Sequence, residues 1–133
     1  MKIVMQLMNG FFDKGHSLFM DNFYNSFLFS SKLLRRLTYT TGTLRNNRKH
    51  NPKPINSAQL SVGETVANYA ESVMIGKWKD KRTVTYISTR FDNEMVTYRN
   101  KRKQQKIIPK PLMQYNAHMK GVDRLDQMMS YQM

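Results

Sequence analysis

Two aspartates near the end of the sequence have the spacing that could support chemistry. Asp123 and Asp126 stand three residues apart in the segment GVDRLDQ. On a helix this spacing places them on neighbouring turns, about 60° apart, where two negative charges repel each other unless a cation neutralises them. Mg²⁺ is the natural cation, because this hard ion binds carboxylate oxygen and keeps positions for water or phosphate.

The same two acids also have an ordinary structural interpretation. They can pair with Lys120 and Arg124, or simply favour the positive N-terminal end of a helix. Asp21 presents a similar choice, since it follows an apolar run that predicts a strand. The carboxyl end of a strand is where α/β sheets place reactive groups, but an aspartate just before a helix can also cap it. Spacing alone leaves both interpretations open.

Most other catalytic chemistries lack their residues. The chain of 133 residues has no cysteine, which excludes disulfides, thiol nucleophiles and cysteine-based zinc sites. Its three histidines, His16, His50 and His118, do not have the spacing of metal ligands. No glycine-rich phosphate loop and no Gly-x-Ser-x-Gly turn occurs.

The charge of the chain indicates its partner. Lys and Arg number 22 and Asp and Glu number 9, which gives a net charge of +13. This excess favours nucleic acid, because neutralised phosphates release counterions; a membrane surface is less supported, and no segment is long enough to span a bilayer. The candidate DNA-binding residues lie in three basic segments: Arg45, Arg48 and Lys49; Lys77, Trp78, Lys79, Lys81 and Arg82; and Lys101, Arg102 and Lys103. Trp78 can stack on nucleic acid, or lie half-buried beside a strand.

The elements that must position these side chains follow an α/β order. The apolar patterns predict a helix in the opening segment MKIVMQLMNGFF, a strand over 16–21 and a helix within 22–37. A short extended piece and a basic loop follow, at the surface rather than in the core. Strands over 83–90 and 94–99 are predicted to pair across a turn at Asp92 and Asn93. Basic loops are expected at about 44–58 and 99–111, and a final helix from about Ala117 to Met133, with a stripe of Met119, Val122, Leu125 and Met129.

Four segments in order resemble the piggyBac transposase family. They are GHSLFMDNFYNS, YTTGTLRNNRK, GKWKDKRTVTYISTR and KPLMQYNAHMKGVDRLDQMMSYQ. The resemblance implies that residues 1–133 are part of an RNase H-like catalytic domain of the DDE type, a mixed sheet with flanking helices that lacks the opening strands. Such domains use Mg²⁺ for phosphodiester transfer, and this family cuts and pastes DNA at TTAA targets.

The resemblance also assigns roles to individual acids. Asp21 falls on the family's second catalytic aspartate, Asp123 on the third and Asp126 on the acid that follows it. The first catalytic aspartate, on the opening strand, has no counterpart, because Asp13 stands too close to Asp21. The expectation is a truncated, transposase-derived chain that is inactive alone, nuclear and DNA-binding, for which the resemblance allows a homodimer. The alternatives are a non-catalytic basic module that binds nucleic acid, and a fragment without a selected role.

Overall fold

The fold consists of three helices and eight strands in the part of the chain that the structure describes. This computed structural model describes residues 17–22, 24–46, 48, 50–99, 102–119 and 129–132. The elements are β1 (Ser17–Met20), α1 (Phe27–Arg35), β2 (Tyr39–Leu44), α2 (Lys53–Ser57), β3 (Thr65–Ala70), β4 (Val73–Lys79), β5 (Thr83–Ser88), β6 (Met95–Arg99), β7 (Gln105–Pro109), α3 (Lys110–Met119) and β8 (Met129–Gln132). No described helix combines the length and the apolar composition needed to cross a membrane.

A mixed six-stranded sheet is the centre of the fold. Its strands lie in the order β3-β4-β5-β2-β1-β8. Strands β1 and β2 run parallel, while all other neighbours in this sheet are antiparallel. The α/β class with a mixed sheet and flanking helices is therefore confirmed.

Each face of the sheet is covered by different elements. Side chains alternate between the two faces along a strand, so Val73 and Ile75 of β4 point to one face while Met74 and Trp78 point to the other. The first face packs on α2 in a cluster that contains Leu44, Ile55, Val73, Ile75 and Ile87. The second packs on α3 and the β6–β7 hairpin in a cluster that contains Met74, Trp78, Tyr86, Ile108 and Leu112.

Two sequence predictions at the start of the described chain are confirmed. All four residues of β1 are buried, as a continuous apolar run next to a parallel partner requires. The helix predicted after it is α1, and its first turn is capped by Ser26, whose hydroxyl accepts a hydrogen bond from the backbone N–H of Phe29 at 3.1 Å. The predicted opening helix lies outside the described residues.

The strand pairing predicted for the middle of the chain is wrong. Strand β5 pairs with β4 and β2, and β6 pairs with β7 instead. The segment at 39–44, expected as a short surface piece, is strand β2 in the interior of the sheet. Its threonines are short enough to pack between two neighbours: Thr40 and Thr41 are buried, and their hydroxyls bond Ser30 and Ser88 at 2.8 Å and 2.9 Å.

Two predicted basic loops and the last predicted helix also need correction. The loop expected at about 44–58 contains helix α2, and the loop at about 99–111 contains strand β7 and the start of α3. Pro111 is compatible with that start, since proline is favoured in the first helical turn. The last described helix runs from Lys110 to Met119. Of the helix predicted from about 117 to 133, residues 129–132 form strand β8 instead, paired with β1, and residues 120–128 lie outside the described residues.

Candidate functional site

Asp21 lies directly after β1, at the carboxyl end of the strand. The parallel register places Met20 opposite Gly42 of β2. The backbone carbonyl of Asp21 accepts a hydrogen bond from the N–H of Tyr24 at 3.3 Å, so the chain turns immediately after the strand. Because Ser26 is the cap of α1, the alternative that Asp21 caps this helix is wrong.

The side chain of Asn25 holds this edge of the sheet together. Its Nδ2 donates to the carbonyls of Met20 at 2.8 Å, Asp21 at 3.1 Å and Thr43 at 2.7 Å. These acceptors belong to the ends of β1 and β2, so one amide group fixes both strand ends. Asn25 is fully buried, and its Oδ1 has no hydrogen-bond partner within the described part of the chain. Sequence reasoning missed this residue, whose only signal is an asparagine four positions after Asp21.

Gly42 makes the close approach of these strands possible. A Cβ atom at this position would lie 1.8 Å from the carbonyl oxygen of Met20 and 2.6 Å from Nδ2 of Asn25. The first of these neighbours is backbone and cannot move aside as a flexible side chain would. Glycine is therefore required here by space.

Tyr115 of α3 reaches the same edge from the second face of the sheet. Burial raises the pKa of its phenol, a hydrogen bond with Thr43 opposes that rise, and the negative charge of Asp21 adds to it. Next to it, the imidazole of His118 stacks on the ring of Phe19. These contacts seat α3 against β1 and β2.

The donor set for Mg²⁺ predicted from the sequence is not assembled by the described residues. They contain no group of three or more His, Cys, Asp or Glu side chains that could hold a metal ion. Asp123 and Asp126 lie outside the described residues. The structure places Asp21 at the expected strand end, without the other predicted ligands among the described residues.

The basic segment at 77–82 divides into residues with different surroundings. Nζ of Lys77 donates to the carbonyls of Ile55, Asn56 and Ala58 at 3.2, 3.4 and 2.9 Å, which neutralises the negative end of α2. Trp78 is only 7% exposed and belongs to the core. The indole does not present a free face to a base, which favours the alternative of a tryptophan packed on a strand.

Lys81 and Arg82 are exposed in the β4–β5 turn, while Lys79 is half-buried at the end of β4. The turn lies at the same end of the sheet as Asp21, because Leu44, two residues beyond Gly42, is opposite Thr85 near the start of β5. Arg45 and Arg48 follow β2 at this end, and the hydroxyl of Thr85 donates to Oδ1 of neighbouring Asn46. We call Arg45, Arg48 and Arg82, together with Asp21, the Asp21 edge; Lys81, in the same turn as Arg82, lines the groove described next.

A groove of about 990 Å³ lies beside the β6–β7 hairpin. Four cationic side chains line it: Lys81, Arg99, Arg102 and Lys106. We call it the basic groove. Lys81, Arg102 and Lys106 lie in the basic segments predicted from the sequence to bind nucleic acid, whereas Arg99, in the strand β6 that was assigned the wrong partner, was missed. Lys103 is exposed near the groove with a positive φ of 61°, and Lys49 and Lys101 lie outside the described residues.

The basic groove and Asp21 lie on different sides of α3. Met113, Asn116 and Ala117 line the groove, whereas Tyr115 and His118 contact β1 and β2. These two sets of residues lie on different sides of a helix with 3.6 residues per turn. The helix therefore lies between the groove and Asp21.

Comparisons with known proteins agree with this architecture. A family model described as Transposase IS4, a DDE transposase family, matches residues 1–133. A solved structure described as the piggyBac transposase synaptic complex with hairpin DNA is similar, with a TM-score of 0.75 and 23% sequence identity. The match covers 96% of this chain and 26% of that transposase, so the chain spans about a quarter of the length of that protein. The chain belongs to the Transposase IS4 family, and its fold is that of this part of the piggyBac transposase.

Proposed function

We propose that this chain is a transposase-derived unit that binds duplex DNA along the Asp21 edge. One observation carries the proposal: the loop after β2 and the β4–β5 turn bring cations to the sheet end where Asp21 lies. Such cations bind the phosphate backbone of any sequence, with an affinity that falls as salt rises. The similar transposase is described in a complex with hairpin DNA, which supports DNA as the ligand.

Asp21, Asp123 and Asp126 are proposed as residues of the ancestral metal site. Carboxylates are suitable ligands for Mg²⁺, which in two-metal sites stabilises the attacking and leaving oxygens of phosphodiester transfer. Within residues 1–133 no aspartate matches the family's first catalytic position. We therefore propose that this chain on its own binds DNA without cutting or joining it, and that it acts in the nucleus.

A homodimer, proposed from the family resemblance, is tested by sedimentation of the purified chain.

Fluorescence anisotropy with a labelled DNA duplex tests the binding proposal. Arg48→Gln with Arg82→Gln removes two cations of the Asp21 edge, and the slope of log affinity against log salt should fall by about 1.8, or about 0.9 for each contact. The matched control is Lys32→Gln with Lys53→Gln, because these two exposed residues lie on α1 and α2. A duplex affinity independent of salt, or equal loss in both pairs, rejects the proposal.

The catalytic state needs a separate measurement. Incubation of the chain with DNA and Mg²⁺ should leave the DNA uncut and unjoined. Asp21→Asn should keep the salt dependence of duplex binding, as the alternative of a non-catalytic binding module also requires. Cleavage or joining that Asp21→Asn abolishes would show an active enzyme and contradict the proposed inactivity.

A further inference from the structure

We propose that the basic groove binds a single strand of nucleic acid, at a site separate from the duplex-binding Asp21 edge. The inference deepens the proposed function and rests on it. The groove brings together residues that are distant in sequence, from the β4–β5 turn, the β6–β7 hairpin and α3. Arg99 and Lys106, which line the groove, do not belong to the Asp21 edge.

Charge is the first reason for this ligand. Lys81, Arg99 and Arg102 are exposed cations on the wall of one cavity. Among the described residues, Asp80 brings an opposing charge, and its carboxylate lies 3.1 Å from Nζ of Lys106. This pair reduces the net contribution of Lys106, so the positive potential that we infer rests on Lys81 and Arg99. A concave surface of one charge concentrates phosphate-bearing ligands.

The other lining residues suit nucleotides better than inorganic anions. Tyr98 brings an aromatic ring to the groove, and Ile108 and Met113 give it an apolar floor. Aromatic rings in a positively charged channel stack with bases of any sequence. Asn116 adds an amide group that can bond base edges. A free phosphate would use none of these apolar contacts.

The shape of the groove favours one strand over two. A volume of about 990 Å³ lies at the upper end of the range for ligand pockets, about 300 to 1,000 Å³. It accommodates a short run of nucleotides, which is a smaller ligand than a duplex. Helix α3 lies between this groove and Asp21.

The test uses anisotropy of a labelled oligothymidine with the full chain. In Lys81→Gln with Arg99→Gln, the slope of log affinity against log salt should fall by about 1.4, or about 0.7 per contact with a single strand. The control pair Lys32→Gln with Lys53→Gln removes the same charge from the opposite face and should leave the slope unchanged. Thermal unfolding of each variant should show the wild-type midpoint, because all four side chains are exposed.

The remaining outcomes separate this proposal from the previous one. Equal weakening by both pairs would overturn the groove as a site, and so would displacement of the strand by inorganic triphosphate at equal phosphate concentration. Duplex binding that depends on Arg48 and Arg82 but not on Lys81 and Arg99 supports two separate surfaces. A wild-type chain that binds the single strand but no duplex rejects the Asp21 edge, while one that binds the duplex but no single strand rejects the basic groove.

Discussion

The imidazole of His118 stacks on the phenyl ring of Phe19, with ring centroids 4.0 Å apart and planes 8° from parallel. Phe19 is fully buried in β1, and His118 lies in the last turn of α3. The Nδ1 atom of His118 is 2.9 Å from the carbonyl of Gln114, so it carries the proton and donates. This contact fixes the end of the helix that also presents Tyr115 to the Asp21 edge.

Removal of this ring contact should loosen α3. We expect His118→Ala to lower the free energy of unfolding by about 1 to 2 kcal/mol, because an aromatic pair contributes about 0.5 to 1.5 kcal/mol beyond the area that it buries. His118→Phe keeps the stacked ring without the bond to Gln114 and should recover most of the loss. Urea unfolding measures both, and an alanine variant as stable as the wild type would contradict the role of the stack.

Two glycines should respond very differently to the same substitution. At Gly42 an added Cβ meets the Met20 carbonyl at 1.8 Å, so Gly42→Ala should cost more than about 4 kcal/mol or prevent folding. A Cβ atom added at Gly63 would meet no described atom within 4 Å, but this residue has a φ of +88°. Gly63→Ala should therefore cost only about 1 to 2 kcal/mol, from backbone strain. Urea unfolding compares the two; similar losses would mean that Gly42 is not required by space.

Lys77 should act on stability rather than on DNA affinity. Lys77→Met keeps a side chain of similar length but removes the three hydrogen bonds to the end of α2. The free energy of unfolding should fall by about 1 to 3 kcal/mol. The salt slope of duplex binding should stay unchanged. Lys53→Met, which removes the same charge from an exposed position on α2, is the control and should leave stability unchanged. A lower salt slope in Lys77→Met would instead show a phosphate contact.

Tyr86 should make stability fall in strong base. Burial raises the pKa of its phenol from 10.0 to about 12, opposed by its bond to Thr65. A raised pKa means that the folded state favours the neutral phenol, so this contribution is present below pH 10 and lost between pH 10 and about 12. At about 1.4 kcal/mol per unit it amounts to about 2 to 3 kcal/mol.

The measurement for Tyr86 is the free energy of unfolding across this pH range. Tyr86→Phe cannot ionise, so the difference in stability between wild type and variant should shift in favour of the variant as pH rises. Tyr69→Phe is the comparison, because Tyr69 is 59% exposed. A pH dependence in Tyr86→Phe identical to that of the wild type would show that another group is responsible.

Local patterns were sufficient to predict the elements that depend on their own sequence. The buried run of β1, the β-branched segment of β5 and the amphipathic helix α1 were all anticipated. Strand β2 was underestimated because its threonines look polar, and only neighbours on both sides bury them. Strands β6 and β7 are joined by a loop rather than by a tight turn with a recognisable sequence. Hydrophobic periodicity therefore does not predict that they pair.

The candidate site shows the same division between local and distant information. Asp21 was found because it follows an apolar run and matches a family segment. Asn25 and Gly42 were not found, since their role depends on the parallel register between β1 and β2. Arg99 lines the basic groove because β6 pairs with β7, a pairing that the sequence did not predict. Charge counts from the sequence gave the class of partner but not the surface that it contacts.

The position of β8 beside β1 has a consequence for the rate of folding. Ser17 pairs with Gln132, 115 residues further along the chain, whereas the β3–β4 and β4–β5 hairpins join neighbouring segments. Closing so long a loop costs entropy before its contacts form. The hairpins should therefore form early and the β1 edge late, so substitutions in β1 should accelerate unfolding more than they slow refolding. Stopped-flow folding and unfolding rates for Leu18→Ala in β1 and Ile75→Ala in β4 compare the two regions. The strand that positions Asp21 should be among the last to form.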